Sequence, residues 1–213
     1  MNLTVRLITK QGLQLKKDNI LNTATREFSK YGYDGVSMNN LASKLKINKA
    51  TIYYYFKDKK SLYNEVLKTL INMNREDMKE LINKKMDPKE RFKEYINLYI
   101  KRIQEHPHII SLSLRELASS ANNIESNMVK EFERDMGYFA DIVSKLDLKE
   151  KYENIDFFTL KSLVLGTINT YYTLQMSNLD FNGLNDFEKK PDDIFDYLCV
   201  FISDILLDAL CKD

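Results

Sequence analysis

The chain has 213 residues, 44% hydrophobic and 30% charged, with 32 Lys and Arg against 31 Asp and Glu, which is enough to close one small and one larger core. Only 6 Gly and 3 Pro leave little room for a strand-and-turn fold, so long helices are expected. Near-neutrality hides a segregation, because residues 1–70 carry 13 basic and 5 acidic side chains while residues 71–213 carry 19 and 26. A basic N-terminal third is the footprint of a polyanion partner, and the acidic remainder stays off it.

The opening MNLTVRLITKQGLQLKK lacks the sustained apolar run of a secretion leader. The most hydrophobic later segment is interrupted by Lys161 and Asn169, so neither export nor membrane insertion is expected and a cytoplasmic location follows. Ile20, Leu21, Ala24 and Phe28 then form a helical stripe that ends at Tyr31-Gly32-Tyr33, with Gly32 suited to the position just past a helix end. Ser37 is positioned to cap a short helix with Asn40 at its third position, and Leu41, Ala42 and Leu45 give that helix an inward face. Lys46-Ile47-Asn48 makes a turn. A second short helix over 49–56 buries Ile52 and Phe56 and leaves Lys49, Ala50, Thr51, Tyr53, Tyr54 and Tyr55 largely outside. A helix, tight turn and helix with this many outward hydrogen-bonding groups is a DNA-reading device.

The rest reads as six helices. The first runs over 59–83 as one element shared by both domains, opened by Asp58, with Leu62, Val66, Leu70, Met73, Met78, Leu81 and Ile82 inward. Asp87-Pro88-Lys89-Glu90 combines an N-cap carboxylate, a first-turn proline and an acidic third position, and starts a helix to about 104. Pro107 starts another to about 120, a third covers 124–146 and a fourth 155–177. A polar loop over 178–190 follows, and Pro191-Asp192 opens the last helix, to about 210. The helices over 155–177 and 191–210 are apolar on more than one face, which predicts a homodimer in which Leu163, Gly166, Tyr171, Leu198, Phe201 and Ile205 meet a second copy.

Catalytic signatures are missing from the chain: it has no G-x-S-x-G, Walker lysine loop, dinucleotide glycine fingerprint or H-E-x-x-H, so no enzyme is expected. His106-Pro107-His108 straddles a helix start and reads as a junction, not a metal site. Cys199 and Cys211 have no histidine or second-cysteine partner at metal spacing, and read as packing residues of a reduced compartment. No cofactor or metal is implied.

Ala24, Phe28, Gly32-Tyr33, Val36-Ser37, Leu41-Ala42, Ile47-Asn48-Lys49, Thr51-Ile52-Tyr53, Tyr55-Phe56, Lys59 and Leu62 together resemble the N-terminal domain of the TetR family of bacterial transcriptional regulators. The resemblance covers about residues 14–67. It implies an all-α chain with a helix-turn-helix DNA-binding domain over 1–58 and a helical effector-binding and dimerisation domain over 59–213, about nine helices in total. In this reading Lys49, Ala50, Thr51 and Tyr54 face the major groove, where the methyl groups of Ala50 and Thr51 suit thymine. Ser37, Lys46, Asn48, Tyr53, Tyr55, Lys57 and Lys59 complete the DNA-facing set, and Tyr53 and Lys59 match the family's backbone-contacting positions. Three successive tyrosines, and Lys60 where an acidic residue is frequent, depart from the family pattern and leave base preference open.

The resemblance also implies double-stranded DNA with a palindromic operator as partner, and a small-molecule effector. Its candidate lining is Phe92, Tyr95, Ile96, Tyr99 and Ile103, with Leu112 and Leu117, then Met128, Phe132, Met136 and Phe139, and polar groups among Ser111, Ser113, Thr167 and Asn169. The same stripes would serve as plain core. The competing reading is a helical ligand carrier or protein-interaction module with a vestigial helix-turn-helix.

Overall fold

The computed structural model describes residues 3–73, 75–119, 121–175, 177 and 194–212. Those residues form ten α-helices and two 3-10 turns. The helices are α1 Leu3–Gly35, α2 Met38–Leu45, α3 Lys49–Tyr55, α4 Lys59–Asn72, α5 Arg75–Asn83, α6 Pro88–Glu105, α7 His108–Ala118, α8 Val129–Val143, α9 Phe157–Gln175 and α10 Ile194–Leu210. They group into two compact units, Met1–Asn72 with Pro107–Glu131, and Met73–His106 with Phe132–Asp213. The fold is all-α, as composition and resemblance imply.

In the first unit the helix ends follow local chemistry. Gly32 interrupts α1 with φ 73° and ψ 176°, a region essentially reserved for glycine. Ser37 accepts the Asn40 N–H at 3.1 Å and starts α2. Lys46 then turns left-handed, φ 54°, to end it. The side chain of Asn48 accepts the Ala50 N–H at 2.8 Å and starts α3, and Asp58 accepts the Ser61 N–H at 2.7 Å and starts α4. These bonds satisfy donors that the first turn of a helix leaves open. Ile20, Ala24, Phe28, Leu41, Ile52, Phe56, Leu62, Tyr63 and Val66 form one buried core, completed by Ile109, Leu112 and Met128 from the returning segment.

The expected single helix over 59–83 is two helices. α4 ends at Asn72 and α5 begins at Arg75, with Met73 between them in a turn and 40% exposed rather than inward. Glu76 and Asp77 occupy the first turn of α5, where a helix N-terminus favours negative charge, so the local sequence supports a restart there. This split accounts for the tenth helix.

In the second unit Asp87 accepts the N–H groups of Lys89 and Glu90 at 2.8 and 3.2 Å and starts α6. Phe92, Tyr95, Ile96, Ile100 and Ile103 of α6 are buried with Phe139, Ile142 and Val143 of α8, Leu160, Val164 and Ile168 of α9, and Leu198, Ile202 and Leu206 of α10. The helix expected over 124–146 is shorter, because residues 126–128 form a 3-10 turn ahead of α8. α9 is started by Asp156, which accepts the Phe158 and Thr159 N–H groups. The segment after α8 meets the end of α10 where the Lys149 N–H donates to the Leu210 carbonyl at 2.8 Å and the Lys212 N–H to the Asp147 carbonyl at 2.9 Å around a Leu148–Cys211 antiparallel bridge. Cys211 is buried there, and Cys199 is half-buried. The polar loop expected over 178–190 and the Pro191-Asp192 start lie outside the described residues.

At Gly32 a Cβ would meet the Arg115 guanidinium at 3.3 Å in addition to the strained φ. Gly32→Ala should therefore cost about 1–3 kcal/mol of stability, read as a shift in the urea unfolding midpoint at unchanged slope.

Candidate nucleic-acid interface

α3 is seven residues long and is seated by Ile52, fully buried, and by Phe56 just beyond its end. Lys49, Ala50, Tyr53 and Tyr54 are exposed, Tyr54 at 74%. Thr51 and Tyr55 are half-buried instead of fully outward, and Tyr55 packs against the core. Helical geometry explains this: Tyr55 lies three positions past Ile52 and shares the edge of its face. Ser37, Lys46, Asn48 and Lys57 are exposed around the two helices, while Lys59 is half-buried at the start of α4. Ser37 and Asn48 spend an oxygen on helix caps, so what they can offer a phosphate is a hydroxyl hydrogen and an amide NH2.

Tyrosine rings organise several of the lysines. Lys59 Nζ sits 4.3 Å from the centroid of Tyr33, Lys49 Nζ 5.6 Å from Tyr53, and Lys30 and Lys44 at 5.1 and 5.5 Å from Tyr31. Each such contact is worth about 0.5–1 kcal/mol at an exposed site and limits the rotamers of a long side chain. Lys44 is also held by Glu27 at 2.6 Å. Burial, followed by the charges of Asp58 and Asp34, raises the Tyr33 phenol above its ordinary range, so its ring stays neutral under a cation. These pairings are invisible to pattern reading, since Lys59 and Tyr33 belong to different helices.

α7 anchors this surface from behind. Arg115 donates to the Ser29 and Lys30 carbonyls at 3.3 and 3.1 Å, satisfying acceptors at the end of the helical run before Gly32. His108 Nδ1 and Ser29 Oγ are 2.9 Å apart. Tyr63 donates its hydroxyl to Glu116 Oε1 at 2.5 Å. Burial first, then Glu116, pushes the Tyr63 phenol well above its usual range, so it acts as a donor. Asn64 donates to the Lys60 and Asn123 carbonyls at 2.9 Å and accepts the Glu125 N–H at 2.8 Å. Pattern and spacing assign Arg115, Glu116 and His108 no such role, because their partners lie 53 to 86 residues away.

The candidate effector lining divides. Phe92, Tyr95, Ile96, Tyr99 and Phe139 are buried in the second unit, with Asn169 accepting from the Tyr99 hydroxyl at 2.9 Å and Met136 half-buried. Leu112 and Met128 instead fill the core of the first unit, and Leu117 and Phe132 are 75% and 43% exposed. An amphipathic α7 that docks on α1 must turn Leu117 away, which is the physical reason. A groove in the second unit runs between α5 and α6 and is lined by Asp77, Glu80, Lys84, Glu94, Lys101 and Glu105, so it is charged. Of the expected interface, Leu163, Gly166, Phe201 and Ile205 are exposed and Tyr171 is half-buried, but Leu198 is inside the unit at 4% exposure. His106 ends α6 and His108 starts α7. Among the described residues no three His, Cys, Asp or Glu side chains are grouped to hold a metal ion, and no helix is long and apolar enough to cross a membrane.

Residues 20–66 match the family model of bacterial regulatory proteins, tetR family. A stretch of 116 residues is 29% identical to the uncharacterized HTH-type transcriptional regulator YhgD of Bacillus subtilis (strain 168), covering 48% of this chain and 59% of that one. A stretch of 52 residues is 42% identical to IcaR of Staphylococcus aureus (strain Newman), the negative transcriptional regulator of the biofilm operon icaADBC, covering 24% of this chain and 28% of that one. The matched stretches thus span less than two thirds of either relative. Over most of its length the fold is similar to that of the fatty acid degradation regulator FadR from Bacillus halodurans, with TM-score 0.66, 17% identity and 90% and 94% of the two chains covered. It is also similar to the ketosteroid regulator KstR2 of Mycobacterium tuberculosis, with TM-score 0.67, 13% identity and 93% and 96% coverage. The family match is thus carried by residues 20–66, from α1 into α4, and the likeness over the rest of the chain is one of fold.

Asn64 is 4% exposed, and two of its three bonds tie α4 to Asn123 and Glu125. Asn64→Ala should cost about 1–3 kcal/mol, because buried partner groups lose their bonds, and urea denaturation measures it.

Proposed function

We propose that the chain is a homodimeric, sequence-specific DNA-binding transcriptional regulator, a repressor released by a small, largely apolar ligand. The observation that carries this is α3 itself: a capped helix whose outward side chains are Lys49, Ala50, Tyr53 and Tyr54 and whose inward ones anchor it to a rigid core. A vestigial module would have no use for lysines held over tyrosine rings on an exposed face. Lys49, Ala50, Thr51 and Tyr54 read bases, and Ser37, Lys46, Asn48, Tyr53, Tyr55, Lys57 and Lys59 grip the backbone. The repressor sign is supported by the likeness of this domain to a negative regulator. Phe92, Tyr95, Ile96, Tyr99 and Phe139 around the Tyr99–Asn169 bond are the apolar and polar groups an effector would meet. The site of action is the compartment that holds the DNA.

Dimerisation is supported by what α9 and α10 leave uncovered. Phe158, Leu163 and Leu174 on α9 and Tyr197, Val200, Phe201 and Ile205 on α10 are 44–68% exposed. Opposite faces of the same helices, through Leu160, Val164, Ile168, Leu198, Ile202 and Leu206, are buried. A Cβ added at Gly166 meets nothing within 4 Å among the described residues, which leaves room there for a close approach by the second copy. Two copies joined in this way bring a palindromic operator with half-sites about 10 base pairs apart, or a multiple.

Salt-dependent titration of duplex DNA tests the reading. Lys59→Ala should weaken binding about equally on all sequences and lower the salt slope by about one counterion, while Thr51→Ala should alter sequence preference more than slope. An unchanged affinity and slope for Lys59→Ala would reject the docking orientation. For the dimer, Leu163→Glu or Phe201→Glu adds charge at positions 56% and 47% exposed in one chain, so each should yield a folded monomer in sedimentation at micromolar concentration. A native chain that is itself a folded monomer would remove the dimer and the palindrome together.

A further inference from the structure

Resting on the reading of Lys59 as a phosphate contact, we propose that Glu116 of α7 is a positioning residue for DNA binding, acting through Tyr63 and Tyr33 on Lys59. The chain of contacts is continuous and lies within one compact unit. Glu116, 6% exposed, accepts the Tyr63 hydroxyl at 2.5 Å, and its other oxygen, Oε2, is buried without a hydrogen-bond partner among the described residues. That bond anchors the hydroxyl end of the fully buried Tyr63 ring. Tyr63 meets Tyr33 edge to face, with centroids 5.1 Å apart and planes at 66°, and meets Phe28 likewise at 4.8 Å and 77°. Phe28 also stacks on Tyr33 at 6.3 Å and 13°, so the three rings form a compact triangle. Tyr33 thereby rests against two buried rings that also touch each other, and its face carries Lys59 Nζ at 4.3 Å.

A lysine ammonium on a flexible stem loses rotamer freedom when it grips a phosphate, and a ring that already holds it lowers that loss. The ring can do so only while it is itself held. Aromatic contacts of this kind have a preferred geometry, so a shift of Tyr63 is felt at Tyr33. Tyr63 in turn is held at its hydroxyl by a helix that enters the unit 35 residues after α4 leaves it, at Pro107. Glu116 therefore sets how well α4 presents its first lysine, with no contact to DNA of its own. The break between α4 and α5 removes the alternative of a single rigid helix running from Lys59 into the second unit.

The test is a salt titration of mixed-sequence duplex DNA by the full-length chain, its variants and their combinations with Lys59→Ala. Glu116→Ala should weaken binding about two- to fivefold, the range of an exposed cation–π contact, and lower the salt slope by about one. Glu116→Gln keeps an oxygen acceptor for the Tyr63 hydroxyl and should restore both. In the Lys59→Ala background Glu116→Ala should cause no further loss. Tyr33→Leu, which keeps apolar bulk and removes the ring, should reproduce the pattern and carries the test if Glu116→Ala does not fold. Wild-type affinity and slope in the variants, or an equal loss with and without Lys59, would overturn the assignment alone. Absence of salt-dependent duplex binding by the wild-type chain would overturn it together with the DNA-binding reading.

Discussion

A helix of seven residues does not persist in water by itself, because nucleation costs more than one or two turns of hydrogen bonds return. α3 exists only because Ile52 and Phe56 are buried and because Asn48 closes its first turn. Everything that α3 presents depends on that burial. Its base is assembled from α1, α2 and α4, and completed by Ile109, Leu112 and Met128 from a later part of the chain. The first 72 residues alone would leave the inner faces of α1 and α4 uncovered where α7 now lies. Arg115, Glu116 and His108 fasten that cover with directional bonds, which specify one arrangement where apolar burial alone would tolerate several.

The surface above this base concentrates positive charge, and like charges crowded on a small unit repel one another. Aromatic faces relieve part of this. Lys59, Lys49, Lys30 and Lys44 each lie over a tyrosine ring, so quadrupolar attraction offsets some repulsion while the ammonium heads stay accessible. Such an arrangement is more useful to a polyanion-binding protein than ion pairs would be, since a carboxylate partner would compete with phosphate. Lys44, paired with Glu27, is the member of the group that is not arranged this way alone.

The second unit shows a complementary constraint. Its core is closed by one face each of α9 and α10, and their opposite faces remain apolar and exposed. An amphipathic helix on the outside of a monomer would carry charge there. Seven large hydrophobic side chains on adjoining helices amount to a patch that soluble monomers rarely leave open, and a second copy of the same patch is the cover proposed above. The buried Lys161, held by Asp135 Oδ2 at 2.7 Å and by the Asp135 carbonyl at 2.9 Å, shows that the inner side tolerates charge only when it is bonded.

Local chemistry is legible in the amino-acid sequence. Ser37, Asp58 and Asp87 cap helices where their spacing places them, Gly32 adopts the positive φ its position implies, and Ile52 and Phe56 are the buried residues of α3. Such features depend on groups within four residues of one another, and periodicity reports which face is apolar. Periodicity does not report what an apolar face meets. Leu112 and Met128 join the core under the helix-turn-helix, Leu117 turns to solvent, and Leu198 is buried within its own unit. The turn at Met73 escapes pattern reading because apolar spacing continues across it, and the restart signal in Glu76 and Asp77 is weak beside a long helical pattern. The sequence by itself determined the capped helix starts at Ser37, Asp58 and Asp87, the inward face of α3 and the basic character of the N-terminal third, all of them short-range or additive properties. Tertiary structure decided which face met which, and with it the Glu116–Tyr63 bond and the seat of Lys59 on Tyr33, because those contacts join helices whose approach is set by the packing of the whole unit.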